Sequence, residues 1–369
     1  MEKIAVVGIG RLGICLALNL EACGYAVLGI DVSKEYVDSV NNKTLQSNEP
    51  EVSKYLSGST NFTASVHLKD ILDDTIKAIF IVVPTPSMPS GEFSHVYIDT
   101  IIEQLQTLGK QTVQRHLIIN STCMPGYCNS IEKKLNDLNY TLIYNPEFIA
   151  QGSIMKDQQF PDQVLIGENN VDAGDYVQTI YTKLCKNSPR YCRMSLISAE
   201  ITKLATNCFL TTKISFANAI GDIATKVNGE PEKILDAIGA DSRIGNKYFR
   251  YGFGYGGPCF PRDNKAFTKF AENNNISMLI SEATDKANQA HNDFLLEEWK
   301  VKFREEEFIT FDSVTYKKGT DILEESQQLK LAVELAKSGK KVIVKESAVV
   351  IKMLIDKFSD LFIYQINDN

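Results

Sequence analysis

Short apolar runs alternate with longer amphipathic stretches through the first half of the chain, the pattern of strands and helices in repeated βαβ units. Lys3–Val7 reads as a buried parallel strand, followed by an apolar helix through Leu20. Tyr25–Ile30, Lys77–Val83, His116–Asn120 and Thr141–Tyr144 repeat the strand pattern, with Ile98–Leu108 helical among them. Gln163–Ile166 and Tyr191–Arg193 read as the last strands of this sheet. The period then changes to that of a long helix over Ser198–Val227, with further helices at Glu232–Ile238, Asp263–Asn273 and Ile280–Lys302. A second α/β unit ends the chain, with strands at Glu307–Thr310, Lys341–Val344 and Leu361–Tyr364 and helices at Gln328–Lys337 and Ala348–Asp356.

The first strand–helix junction carries Gly8-Ile9-Gly10-Arg11-Leu12-Gly13, and Asp31 closes the second strand. In this context the glycines suit a tight turn, access for a pyrophosphate and close helix–strand contact. The pyrophosphate would sit on the free N–H groups of the helix N-terminus, and Asp31 suits the ribose hydroxyls of NAD and repels the 2′-phosphate of NADP. Later strands end in Val83-Pro84-Thr85-Pro86, in Ser121-Thr122 and in Asn145-Pro146-Glu147, all at the edge where ligands sit in an open α/β sheet. Taken alone, Ser121 and Thr122 are only a helix cap, and Glu147 is either a cap or an active-site acid, the cap being favoured without context. The expected architecture is α/β, with two Rossmann-like parallel-sheet domains joined by a long central helix, the C-terminal one short. The expected boundaries are 1–197 for cofactor binding, 198–302 for a helical dimerisation and active-site region, and 303–369 for the last α/β domain.

Composition narrows the class. The 369 residues are 44% hydrophobic and 23% charged with a net charge of −7, a soluble globular balance that disfavours nucleic acid or an anionic membrane as partner. No run of apolar residues reaches membrane-spanning length, and the N-terminus lacks the form of a signal peptide. Eight cysteines without C-x-x-C pairs, and four scattered histidines, point to reduced thiols in a cytoplasmic protein without a metal site.

Two stretches carry candidate chemistry. In Phe253-Gly254-Tyr255-Gly256-Gly257-Pro258-Cys259-Phe260-Pro261-Arg262-Asp263, a thiol follows a glycine-rich segment that lets backbone approach a ligand, with an acid four residues on. That suits a nucleophile meeting a carbonyl, although this stretch alone reads first as a tight glycine turn with a buried cysteine, and it is the rest of the chain that reverses the preference. On the long helix, Glu200, Lys203 and Asn207 share one face beside an apolar stripe, either a reactive face or a solvated ion pair. A long amphipathic helix is also a natural dimer surface.

Taken in order, these motifs resemble those of the UDP-glucose/GDP-mannose dehydrogenase family over nearly the whole chain. The resemblance rests on Gly8–Gly13, Val83–Pro86, Ser121-Thr122 with Pro125-Gly126, Asn145–Phe148, Glu200–Asn207 and Gly254–Asp263, and Asp241–Lys247 is similar to the UDP-glucose 6-dehydrogenase form. It implies an NAD-dependent, four-electron oxidation of UDP-glucose to UDP-glucuronate in a homodimer. Cys259 would capture the C6 aldehyde as a thiohemiacetal and then hold a thioester. Lys203 and Asn207 would stabilise oxygen charge, and Asp263 would orient Lys203 or a water. Glu147 would be the base for hydrolysis, with Thr122 holding the water. The implied cofactor contacts are Gly8, Ile9, Gly10, Arg11, Leu12, Gly13, Asp31, Pro84, Thr85, Ser121, Thr122, Gln151 and Arg262. The implied substrate contacts are Glu147, Phe148, Ile149, Lys203, Asn207, Arg243 across a dimer interface, Tyr248, Phe249, Arg250, Phe253, Gly256 and Lys317.

The chain departs from the family at Gln151, where Glu is usual, and at Glu324, where an Arg is usual, and its C-terminal domain is short. Other readings therefore stay open: a UDP-N-acetylhexosamine or GDP-mannose 6-dehydrogenase, a two-electron hydroxyacid dehydrogenase that needs no thiol, and a silent nucleotide-sugar binder. The last would be expected to lose Cys259, Lys203 or Asn207, and all three are present.

Overall fold

In chain order the first elements are β1 (Lys3–Val7), α1 (Arg11–Ala22), β2 (Ala26–Ile30), α2 (Lys34–Asn41), α3 (Val52–Gly58), β3 (Phe62–Ser65), β4 (Ile76–Ile81) and α4 (Val96–Leu108). They are followed by β5 (Arg115–Ile119), α5 (Tyr127–Asp137), β6 (Tyr140–Tyr144), α6 (Ile154–Gln159), β7 (Gln163–Glu168), α7 (Val171–Leu184), β8 (Arg190–Met194) and the long helix α8 (Leu196–Lys226). The remainder comprises α9 (Pro231–Gly239), α10 (Phe260–Asn273), α11 (Leu279–Lys302), β9 (Phe308–Phe311), α12 (Gln327–Lys337), β10 (Lys341–Glu346), α13 (Ala348–Phe358) and β11 (Ile363–Ile366). This is a computed structural model that describes residues 1–149 and 151–367. The chain divides into two compact units, with the boundary inside α8 after Lys203.

The first unit is built on an eight-stranded sheet of order β3-β2-β1-β4-β5-β6-β7-β8. Strand order reverses between β1 and β4, the position where open α/β sheets leave a crevice for ligands. The two-residue strand period explains the layers. Ile4, Val6, Phe80 and Ile118 face one side, where α1 and α7 cover them with Ile14, Leu16, Leu18, Val177 and Ile180. Val7, Ile79, Ile81, Leu117 and Ile119 face the other, under α4 and α5 with Ile98, Ile102, Leu105, Ile131 and Leu135. Burial on both faces is why these strands read as continuous apolar runs.

The sheet is not wholly parallel. β7 pairs antiparallel with β6, and β8 runs parallel to β7. The link between β6 and β7 contains only the six-residue α6, too little helix to carry the chain back across the sheet, so β7 returns from the edge where β6 ended. Helices α2, α3, α5 and α7 and strand β3 were also not expected from the apolar pattern. Helix α2, for example, buries just Val37 and Val40.

In the second unit β9, β10 and β11 form a parallel sheet of order β11-β10-β9. Its core joins Ile309, Phe311, Val342 and Val344 to Leu331 and Leu335 of α12 and Leu354 of α13. Trp299 of α11 lies on it, its ring 5.0 Å from that of Phe311. Among the described residues no helix is long and apolar enough to cross a membrane.

The glycine segment ahead of α10 is wedged against the second unit's own backbone. A Cβ on Gly256 would lie 2.2 Å from the Glu325 carbonyl oxygen. Asn288 clamps the same segment by accepting from the Tyr255 N–H at 2.9 Å and donating to its carbonyl at 3.0 Å. The close approach that the glycines permit at Gly256 is thus to protein. Replacing Gly256 by Ala should cost about 1–3 kcal/mol by overpacking. Urea unfolding checks this, and an unchanged midpoint and slope would contradict the packing described.

Candidate active site

The nucleotide fingerprint sits at the β1–α1 junction. The Gly8 N–H donates to Ile30 O at 2.7 Å, tying the turn to β2. A Cβ on Gly13 would lie 1.9 Å from Gly8 O, so only glycine allows this contact between turn and helix. By contrast, nothing lies within 4 Å of where a Gly10 Cβ would be, and no side chain caps α1 there. Open space in front of uncapped helix N–H groups fits a dinucleotide pyrophosphate. Ile9 is buried in the sheet core, so its backbone is what faces the turn, and Leu12 packs partly buried against the same core. Asp31 follows β2, and its Oδ1 accepts from Ser33 N at 3.1 Å.

Four loops at this sheet edge are tied in two pairs. Ser121 Oγ accepts from Val83 N at 3.0 Å and donates to Val83 O at 2.7 Å, beside Pro84. Thr85 Oγ1 donates to the Thr122 carbonyl at 2.8 Å. From the fingerprint, Arg11 Nη1 donates to Gln151 Oε1 at 2.9 Å, linking the loops after β1 and β6 across β4 and β5. The glutamine that replaces the usual acid is therefore still an acceptor for a fingerprint cation.

Glu147 lies in the loop after β6 and caps no helix, since Ser153 occupies the start of α6. Lys203 of α8 donates to the Glu147 carbonyl at 2.7 Å and stands 4.6 Å above the Phe148 ring. Phe148 and Ile149 pack, partly buried, against the two cores of this unit. Burial pushes the Glu147 carboxyl up to about 7, offset in part by Asn120, the Lys203 charge, Gln158 and Tyr181. Sequence reasoning gave Asn120, Gln158 and Tyr181 no role at the site. Asn120 could have been flagged as a polar residue ending a buried strand; nothing local marks Gln158 or Tyr181.

In the second unit, Cys259 is exposed and occupies the N-cap position of α10. The helix starts earlier than the sequence pattern suggested, so the thiol stands at a helix N-terminus, which favours a negative charge. Asp263, in the first turn of α10, is 2% exposed and accepts from Asn207 Nδ2 at 2.6 Å. Its Oδ1 is 3.5 Å from Arg262 Nε. Asn207 thus gives Asp263 a partner that sequence reasoning had not paired with it.

The other candidates fall in different surroundings. Arg243 is exposed, with Nη2 2.6 Å from Asp241 Oδ2. Tyr248 is exposed with left-handed backbone, and Arg250 is exposed. Phe249 is buried in a small cluster with Ala217 and Leu235. Phe253 packs toward Trp299 at 6.3 Å between rings, and Lys317 is exposed while its carbonyl accepts from Thr320. Glu324 is exposed, and its carbonyl accepts from Gly257 N at 3.1 Å.

Comparison with known proteins agrees with this geometry. The NAD-binding domain of the UDP-glucose/GDP-mannose dehydrogenase family matches residues 2–185, and its central domain matches residues 197–290. The chain belongs to that family of NAD-dependent nucleotide-sugar dehydrogenases. It is 28% identical over 346 residues to a UDP-glucose 6-dehydrogenase of Rickettsia bellii, covering 91% of this chain and 79% of that protein. It is 30% identical over 359 residues to a GDP-mannose 6-dehydrogenase of Pseudomonas aeruginosa, with the same coverage. A UDP-glucose dehydrogenase structure from Pyrobaculum islandicum superposes with a TM-score of 0.88 at 25% identity, covering 100% of this chain and 86% of that one.

The raised pKa of Glu147 has a signed consequence for stability. Below about pH 4.5 the carboxyl is neutral in both folded and unfolded chains; between there and about pH 7 the unfolded chain ionises first, so the parent loses stability as pH rises. Glu147→Gln removes the charge and should be more stable than the parent at about pH 8, by about 2–3 kcal/mol, and close to it at about pH 4. Equal denaturation midpoints for parent and variant at both pH values would show that Glu147 is not desolvated.

Proposed function

We propose that this protein is a UDP-glucose 6-dehydrogenase that oxidises the sugar C6 alcohol to a carboxylate through a thioester on Cys259. The observation that carries the reading is the exposed Cys259 at the start of α10, with Asp263 of the same turn held by Asn207. A hydroxyacid dehydrogenase has no use for such a thiol. The run Asp241–Lys247 and the UDP-glucose 6-dehydrogenases among its relatives favour UDP-glucose over other nucleotide sugars.

NAD, when bound, accepts a hydride in each of two oxidations. Gly8–Gly13, Asp31, Pro84, Thr85, Ser121, Thr122, Gln151 and Arg262 would hold it. In the first oxidation C6 becomes an aldehyde, and the hydroxyl proton leaves to solvent or base. The Cys259 thiolate then adds to the aldehyde carbon, and the resulting oxyanion is stabilised by Lys203 and Asn207. Loss of the second hydride from C6 leaves the thioester. Glu147, with a proton affinity near neutrality, takes a proton from water held by Thr122; the water attacks, and the thiolate departs as the carboxylate forms. Substrate would be held by Phe148, Ile149, Arg243, Tyr248, Phe249, Arg250, Phe253, Gly256 and Lys317. The middle segment, 198–302, would also form a homodimer, supported by exposed Phe209, Phe216 and Ile223, spaced seven apart on α8. Residues 303–369 would then serve as the UDP-sugar domain.

Assaying NADH release from a panel of UDP- and GDP-sugars tests this reading. UDP-glucose should give two NADH per sugar with NAD, and Cys259→Ala should release no uronate at a useful rate. One NADH per turnover, or uronate from Cys259→Ala at the parent's rate, would remove the covalent route.

A further inference from the structure

Glu200 of α8 has no role in the steps above, yet it is fully buried. Its Oε2 accepts from the Gly126 N–H at 2.6 Å and its Oε1 from the Cys128 N–H at 2.8 Å. Gly126 begins α5 in left-handed backbone, and no side chain from that segment caps the helix. A carboxylate on a distant helix therefore caps α5, meeting the positive end of its dipole. Burial pushes the Glu200 carboxyl up and the two amides oppose it, and an apolar side chain here would take from the Gly126 and Cys128 N–H groups the carboxylate they donate to.

What the acid fixes is the loop 121–126. The loop's near end is held to the loop after β4 by Ser121 and by the Thr85 bond to the Thr122 carbonyl. Its middle is held by His95, whose Nε2 accepts from Met124 N at 3.1 Å, and its far end by Glu200. Three residues further along α8, Lys203 holds the Glu147 carbonyl at 2.7 Å. Adjacent turns of one helix thus grip the loop after β5 and the loop after β6.

We propose that Glu200 is a positioning residue: by capping α5 it keeps the Thr122 loop in register with Lys203 and Glu147, so that water is correctly placed for hydrolysis of the thioester. This rests on the roles proposed above for Thr122 and Glu147. Glu200→Gln is the discriminating variant. Its amide oxygen can accept one of the two N–H groups, while its amide N–H turns a donor toward the other.

With UDP-glucose and NAD in stopped flow, Glu200→Gln should give a burst of two NADH per site and then a steady rate lowered about tenfold or more, because small misplacements at a reacting centre are costly. Amide exchange at Gly126 and Cys128 should accelerate. A variant that turns over at the parent rate, or one that loses the burst and the steady rate alike, overturns the proposal. Should Glu200→Gln fail to fold, Glu200→Asp keeps the charge one methylene short and should show the same burst with a smaller loss. If the parent itself oxidises no nucleotide sugar, the functional reading falls; amide exchange then decides the positioning claim by itself, and unchanged exchange at Gly126 and Cys128 overturns it.

Discussion

The loops of the first unit depend on their attachment to polar side chains on successive turns of α8, and a third such side chain serves the second unit. Glu200 holds the start of α5, Lys203 holds the Glu147 carbonyl, and Asn207 holds Asp263 beside the Cys259 turn. Spacings of three and four residues put them on one face of the helix. All three are buried, and a buried polar group stripped of its partner costs about 1–3 kcal/mol. Local helix geometry is thereby converted into loop placement. The same 31-residue helix leaves Phe209, Phe216 and Ile223 exposed.

Chemistry is separated by environment in each unit. Around Glu147 the low polarity of the interior favours the neutral acid, and the nearby polar groups recover only part of that cost. Around Cys259 the thiol is exposed and stands at the N-cap position of α10. Gln151 accepts from Arg11, and Glu324 uses its backbone to receive Gly257 while its side chain stays exposed.

The parts legible in the sequence are those where local pattern and tertiary role coincide. β1, β4 and β5 are buried on both faces and read as apolar runs, and the glycine fingerprint announces its own turn. Helix α8 was legible because its period holds for eight turns. Helix α5 was not, because it buries only Cys128, Ile131 and Leu135 and its cap comes from Glu200, more than seventy residues away along the chain. The antiparallel β7 was missed because direction depends on the length of helix in the preceding link, which α6 leaves short. At the site, residue types were readable but partners were not. Asn207 meets Asp263 through folding across fifty-six positions, and the first turn of α10 hides behind Pro261, which suits a helix start as well as a loop.

The covalent step is the central claim, and the most direct measurement is intact and peptide mass spectrometry of Glu147→Gln quenched in acid after mixing with UDP-glucose and NAD. A base too weak to activate water should let the thioester accumulate, so the protein should gain the mass of an oxidised UDP-sugar acyl group on the peptide that contains Cys259. An unmodified Cys259 peptide in a variant that has nonetheless released two NADH per site would contradict it.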